Sequence, residues 1–339
     1  MNSMLIGVDI SKNVFVMHGI DSRGKEQLRK KASRGDFLAT VAGYPGSIIA
    51  MEACGGANHW GRELQQRGHE VRLLAPHHVK PYVRSQKNDH ADAEAIAEAA
   101  SRERARFVAV KDITQQDLQT LHRIRERMVK ESTAQVNMLR GLLLEYGIAI
   151  PEGITRFRNE FHQILESHNK QLTGLMYREF VELFTEYREL ARRLEQCDKK
   201  LEAIAKSHPV AKRLLTIPGV GYVTATALLT LSVDGCQKGR DFAAMLGLIP
   251  SQYSTGGKQV LGRITKRGNK YLRKLLIQGA RSMLIQCHRH PTKYYSKAAE
   301  LKARLGFNKA AVATANRNAR IAYRLLISDE VEFQDTVFV

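Results

Sequence analysis

Apolar and polar positions change their period along the chain, and each change marks a different kind of element. Residues 4–9 (MLIGVD) and 14–19 (VFVMHG) are short apolar runs on either side of Ser11-Lys12-Asn13, which predicts a β-hairpin. Further strands are predicted over 27–31, 47–51 (SIIAM) and 70–74, interleaved with helices over 35–42 and 59–67, and an alanine-rich helix follows over 89–101. The period then lengthens. No proline interrupts residues 113–146, where Leu118, Leu121, Ile124, Met128, Leu139 and Leu142 recur at helical spacing. From Met176 the apolar positions Phe180, Leu183, Tyr187, Leu190, Leu194, Cys197, Leu201 and Ile204 follow in steps of four and three, the seam of a coiled coil. The favoured reading is a rod that separates two domains and builds a dimer or tetramer. Pairing with the 113–146 helix of the same chain is the alternative.

In the last third, apolar helices flank Ile217-Pro218-Gly219-Val220-Gly221. That turn resembles a helix-hairpin-helix, in which the Gly219 and Gly221 region offers amides to a phosphate; a plain connector between packed helices fits as well. Residues 250–274 read as a loop, and helices are predicted over 270–287 and 308–327. The fold class is therefore α/β plus all-α. A mixed sheet with helices on its faces spans 1–110, and its element order matches a ribonuclease-H-like domain. Long helices occupy 111–206, a mainly helical domain 207–328, and a short tail 329–339.

Charge narrows the function. The 339 residues carry a net charge of +19 and a pI near 9.9, which points to nucleic acid or an acidic membrane surface. No apolar run reaches the roughly 18 residues that span a bilayer, and MNSMLIGVDISKN lacks the basic flank of a signal peptide. Cys54, Cys197, Cys236 and Cys287 stand far apart with no CxxC, which fits a reducing cytoplasm and no zinc framework. Cys287, His288 and His290 make a poor metal site, because sequence neighbours diverge on a helix.

Two groups of residues carry candidate chemistry. Asp9 ends the first strand core, Glu52 ends a later one, and Asp89 and Asp92 share one face of a helix's first turn. Four carboxylates converging at strand ends repel one another unless a divalent cation, Mg²⁺ or Mn²⁺, neutralises them. Asp89 and Asp92 also suit helix capping, and Asp9 suits a turn. Lys87, Asn88 and His90 are placed to touch the same phosphate or to solvate the loop. The second group is Ser251, Ser254 and Thr255 before Gly256-Gly257, followed by Lys258, Arg263, Lys266, Arg267, Lys270, Arg273 and Lys274 as phosphate-binding cations. Between Asp241 and Glu300 there are eleven Lys and Arg residues and no acid.

These motifs resemble the DEDD transposases of insertion sequences that encode a bridge RNA, above all in GLIPSQYSTGGKQVLGRITKRGNKYLR over 247–273. Asp9, Glu52, Asp89 and Asp92 match that family's acidic tetrad, the last two within Lys87-Asn88-Asp89-His90-Ala91-Asp92-Ala93. Ser254 matches its nucleophilic serine; relatives often carry Ser-Ser-Gly where this chain has Ser-Thr-Gly, so Thr255 and Ser251 stand in reserve. The resemblance implies a recombinase with a Holliday-junction-resolvase (RuvC-like) N-terminal domain, a coiled coil and a C-terminal transposase domain. It also implies a structured guide RNA that pairs with donor and target DNA, an active site shared between protomers, and work at the bacterial nucleoid. Two other functions fit the composition: a metal-dependent nuclease that cleaves junctions with water, and a non-enzymatic packaging protein.

Overall fold

The computed structural model describes residues 4–83, 88–103, 105–290, 292–328 and 330–334. They form two compact units, Met1–Gln116 with Thr230–Asp241, and Asp117–Leu229 with Phe242–Val339. The second unit takes in most of the long-helix region together with most of the C-terminal region.

The first unit is built on a six-stranded sheet of order β3-β2-β1-β4-β5-β6. Its strands are β1 (Leu5–Ile10), β2 (Val14–Ile20), β3 (Glu26–Ser33), β4 (Ile48–Glu52), β5 (Glu70–Leu74) and the two-residue β6 (Phe107–Val108), which sequence missed. β1 runs antiparallel to β2 and parallel to β4, and β4 runs parallel to β5. The helices are α1 (Phe37–Ala42), α2 (Ala57–Gln66), the short α3 (Pro76–Val79) and α4 (Asp89–Ser101). Pleating divides each central strand between two cores. Ile6, Val8, Ile49 and Met51 pack with Phe37, Val41, Trp60 and Leu64 of α1 and α2. Leu5, Ala50 and Leu74 pack with Ala95, Ile96, Ala99 and Ala100 of α4. This double burial is why the β1 and β4 segments read as unbroken apolar runs.

In the second unit α5 (Ile113–Leu144) and α7 (Gly174–Ser207) lie antiparallel. Arg125 is paired with Asp198 at 2.5 Å, and Gln135 Nε2 donates to the Leu183 carbonyl at 2.9 Å. A helix that sequence missed, α6 (Ile154–Ser167), adds Phe157, Phe161 and Leu165 to Val136, Leu139, Leu143, Phe180, Phe184 and Tyr187. Phe180 and Tyr187 of the heptad seam are therefore buried within their own chain, with Met176 and Leu183 partly buried beside them, as in the intramolecular alternative.

Beyond it come α8 (Pro209–Leu215), α9 (Tyr222–Leu229), α10 (Gly239–Met245), α11 (Lys270–Ile285), α12 (Lys293–Leu305), also unforeseen, and α13 (Phe307–Ile327). The expected serine loop is a β-hairpin instead, β7 (Pro250–Thr255) and β8 (Lys258–Ile264). Gly256 and Gly257 have φ of +57° and +77°, the two positive angles that a tight two-residue hairpin turn needs. Phe333 in the tail packs edge-on to Tyr294, with ring centroids 5.4 Å apart.

Candidate active site

The acids of the first unit are placed by register. Val8 lies opposite Met51 across the parallel β1–β4 pair, so Asp9 and Glu52 are the next residues at the carboxyl ends of adjacent strands. Asp9 shares the strand face of Leu5 and Gly7, and Glu52 that of Ile48 and Ala50, so both lie on the α4 side. Gly7 lets α4 come this close. A Cβ there would stand 2.3 Å from the Ala93 carbonyl oxygen and 2.6 Å from the Ala97 nitrogen. Ala93 and Ile96 are buried against the sheet, and Asp89 and Asp92 precede them by four residues, so both acids occupy the sheet-facing side of α4's first turn. The cap itself is Asn88, whose Oδ1 accepts from the Ala91 N–H at 2.8 Å, and Asp89 is left with no capping role. Lys87 lies outside the described residues.

Desolvation, then the Glu52 and Asp9 carboxylates, push the Cys54 thiol pKa up, which places negative charge from both acids around one point. An all-carboxylate donor set has the hard-oxygen chemistry that suits Mg²⁺ or Mn²⁺. Among the described residues, however, no three His, Cys, Asp or Glu side chains are gathered closely enough to hold an ion. The acids share an edge and a face of the sheet without forming a coordination sphere.

In the second unit the β7–β8 hairpin separates the three hydroxyls. Ser251 is partly buried and donates from Oγ to the Arg263 carbonyl at 3.0 Å. Ser254 is exposed, opposite Gln259, and its Oγ accepts from Gln252 Nε2 at 2.7 Å. Thr255 is exposed beside the turn. The sequence reading overlooked Gln252, which shares Ser254's face only once the segment is known to be a strand.

The cations divide in the same way. Lys258, Arg263, Lys266, Arg267 and Lys270 are exposed. Lys274 is bonded to Glu126 at 2.9 Å and stands 5.3 Å above the Tyr271 ring. Arg273, expected among the phosphate-binding cations, is instead 8% exposed, and its guanidinium donates to the carbonyls of Leu246 (3.0 Å) and Arg267 (3.2 Å). It fastens the base of the hairpin, because one guanidinium bridges two carbonyls that flank the strands, that of Leu246 being buried. Nearby, Thr265 N–H donates to Ile249 O at 2.8 Å.

The Pro218 turn is also held from within. Asn318 is fully buried, donates to the Pro218 carbonyl at 2.8 Å and accepts from the Tyr294 hydroxyl. Gly219 abuts Gly279 of α11, where a Cβ on Gly279 would stand 1.8 Å from the Gly219 carbonyl oxygen, whereas Gly221 faces open space.

An α/β unit with carboxylates at the ends of neighbouring parallel strands, and a helical unit with a serine on a cationic hairpin, have the chemistry of the class of proteins that transfer phosphoryl groups on a polynucleotide. Comparison with known proteins agrees. A DEDD-type transposase family model of IS110 elements matches residues 6–148, and one described as "Transposase IS116/IS110/IS902 family" matches residues 211–296. The chain is 45% identical over 332 residues to "Transposase for insertion sequence element IS1111A" of Coxiella burnetii, covering 96% of this chain and 90% of the relative. It is 39% identical over 339 residues to "Transposase for insertion sequence element IS1328" of Yersinia enterocolitica, covering 99% of each. The chain belongs to the IS110/IS116/IS902 family of transposases, DNA recombinases that act by phosphoryl transfer. No helix among the described residues is long and apolar enough to cross a membrane.

Proposed function

We propose that this transposase joins donor and target DNA through a phosphoserine intermediate on Ser254. The observation that carries the reading is the contrast along β7: Ser251 is bonded to a backbone carbonyl, while Ser254 is exposed on a strand flanked by cations and receives a hydrogen bond from Gln252. Because that bond occupies a lone pair, the Ser254 O–H stays free to give up its proton. Oγ attacks a DNA phosphodiester, the Oγ–P bond forms and the P–O bond to one sugar breaks. The sugar oxygen leaves as a hydroxyl, taking up a proton in place of the one lost by serine. A hydroxyl from a second DNA end later displaces serine, so the bond energy is conserved and no nucleotide is lost.

Asp9, Glu52, Asp89 and Asp92 would hold Mg²⁺ or Mn²⁺. When bound, the cation supplies neutralisation of charge on the scissile phosphate. Lys258, Arg263, Lys266, Arg267 and Lys270 would grip flanking phosphates and fix the register of the strand. The family resemblance extends the reading to a structured guide RNA that carries the sequence code, and to an oligomer in which Ser254 and the acids come from different protomers. The net charge of +19 supports polyanionic partners of both kinds.

The test is a denaturing gel of protein trapped on nicked substrate. A covalent protein–DNA adduct is expected for the wild type, Ser251→Ala and Thr255→Ala, and none for Ser254→Ala. Full strand exchange by Ser254→Ala overturns the proposal in favour of an attacking water.

A further inference from the structure

The hairpin that carries Ser254 has a second face, which the chemistry above leaves unused. Cross-strand pairing puts Gln252 and Ser254 with Gln259 and Leu261 on one side, and Tyr253 and Thr255 with Val260 and Lys258 on the other. Tyr253 is 77% exposed and its direct partner Val260 is 60% exposed, so an aromatic ring and a branched aliphatic side chain stand together in solvent. Among the described residues, Arg273, the Thr265–Ile249 bond and Lys266 N–H to Gly247 O fasten the hairpin near its base. A two-stranded ribbon is marginal in water by itself, and an apolar face on one is uncovered surface.

The surroundings indicate what covers it. Lys258 lies on the Tyr253 face, Arg263, Lys266 and Arg267 follow, and no acid occurs between Asp241 and Glu300. A second copy of this chain would set one cationic surface against another. The patch is also a single pair of side chains, against the roughly 20–30 residues a side of a stable protein interface. A nucleobase matches on both counts, since it offers a flat apolar ring beside a phosphate, and every base has a π-face on which tyrosine can stack. Strand exchange necessarily unpairs bases beside the linkage that is cut. A ribbon inserted there meets nucleic acid on both faces, with the backbone at Ser254 and an unpaired base opposite.

We propose that Tyr253, seated on Val260, is a positioning residue that stacks on an unpaired base of the DNA flanking the linkage at Ser254. The inference rests on the Ser254 reading for its place in the reaction, but the stacking can be tested without the chemistry. Full-length protein with its copurified nucleic acid is mixed with DNA carrying 2-aminopurine at single positions around the cleavage point, in wild-type and Ser254→Ala backgrounds. Fluorescence quenching at one or two adjacent positions is expected in both backgrounds. Tyr253→Phe should retain it, and Tyr253→Leu should lose it together with about 5- to 150-fold in strand-exchange rate, the range measured for one base–aromatic stack. Quenching that is unchanged in Tyr253→Leu, or a change in particle mass by light scattering in that variant, overturns the proposal; the latter result assigns the face to a protein contact. Loss of the covalent adduct requirement at Ser254 with quenching intact would overturn only the nucleophile assignment.

Discussion

Replacing Gly7 with alanine separates the packing of α4 from every other effect. Gly7 does not have positive φ, so alanine costs nothing in backbone conformation there. Its Cβ would stand 2.3 Å from the Ala93 carbonyl oxygen, 2.6 Å from the Ala97 nitrogen and 2.9 Å from the Ala97 Cβ. The first two are α4 backbone atoms and cannot rotate aside, so relief requires the helix to move out by about 1 Å. Inserting one methyl into a packed core costs about 1–3 kcal/mol, or about 3–10 °C in the melting temperature of a domain of this size. The same displacement carries Asp89 and Asp92 away from Asp9 and Glu52. A misplacement of about 1 Å in a catalytic array costs on the order of 100-fold in rate. Thermal unfolding measures the first effect, and strand exchange well below both melting temperatures measures the second. Adding Ala97→Gly should recover little, because the overlap with the Ala93 oxygen persists. A Gly7→Ala protein with wild-type melting temperature and a rate within about twofold of wild type would refute the close seating of α4 on β1.

Two further outcomes follow from buried polar groups in the second unit. Arg273→Met keeps the apolar stem of the side chain but leaves the Leu246 and Arg267 carbonyls without the guanidinium donor, at about 1–3 kcal/mol for the buried Leu246 carbonyl; hydrogen exchange should accelerate at the Thr265 and Lys266 amides, and unchanged protection there would refute the fastening role. His122 is buried with Nδ1 3.1 Å from the Tyr271 hydroxyl, and burial, then Arg125, pushes its pKa down to about 4. A pKa depressed below the ordinary 6.5 means the fold favours the neutral ring, so this contribution is complete above about pH 6.5 and is lost as pH falls toward 4. His122→Gln should flatten the melting-temperature profile across that window, and an unchanged slope would contradict it.

The periodicity of the first hundred residues was enough to place β1, β2, β4, β5 and α4, because strands buried on both faces and an alanine-rich helix write their burial directly into local composition. The acids were legible for the same reason: a carboxylate that ends an apolar run marks a strand terminus. The β7–β8 hairpin was not legible, since strands exposed on both faces carry no alternation, and Ser-Thr-Gly-Gly has the residues of any turn. α6 hid behind Pro151 and Gly153, which read as the end of α5.

Partners were beyond the reach of the sequence. A heptad seam states that a helix buries one stripe, but only the tertiary structure gave Phe180 and Tyr187 of that stripe to α5 and α6 of the same chain. Arg273 and Lys270 are the same kind of residue in one basic run, yet one is sealed against two carbonyls and the other faces water. Local pattern reports how much surface a segment must hide. Which group hides it depends on contacts between residues distant in the chain, and these exist only once the chain has folded.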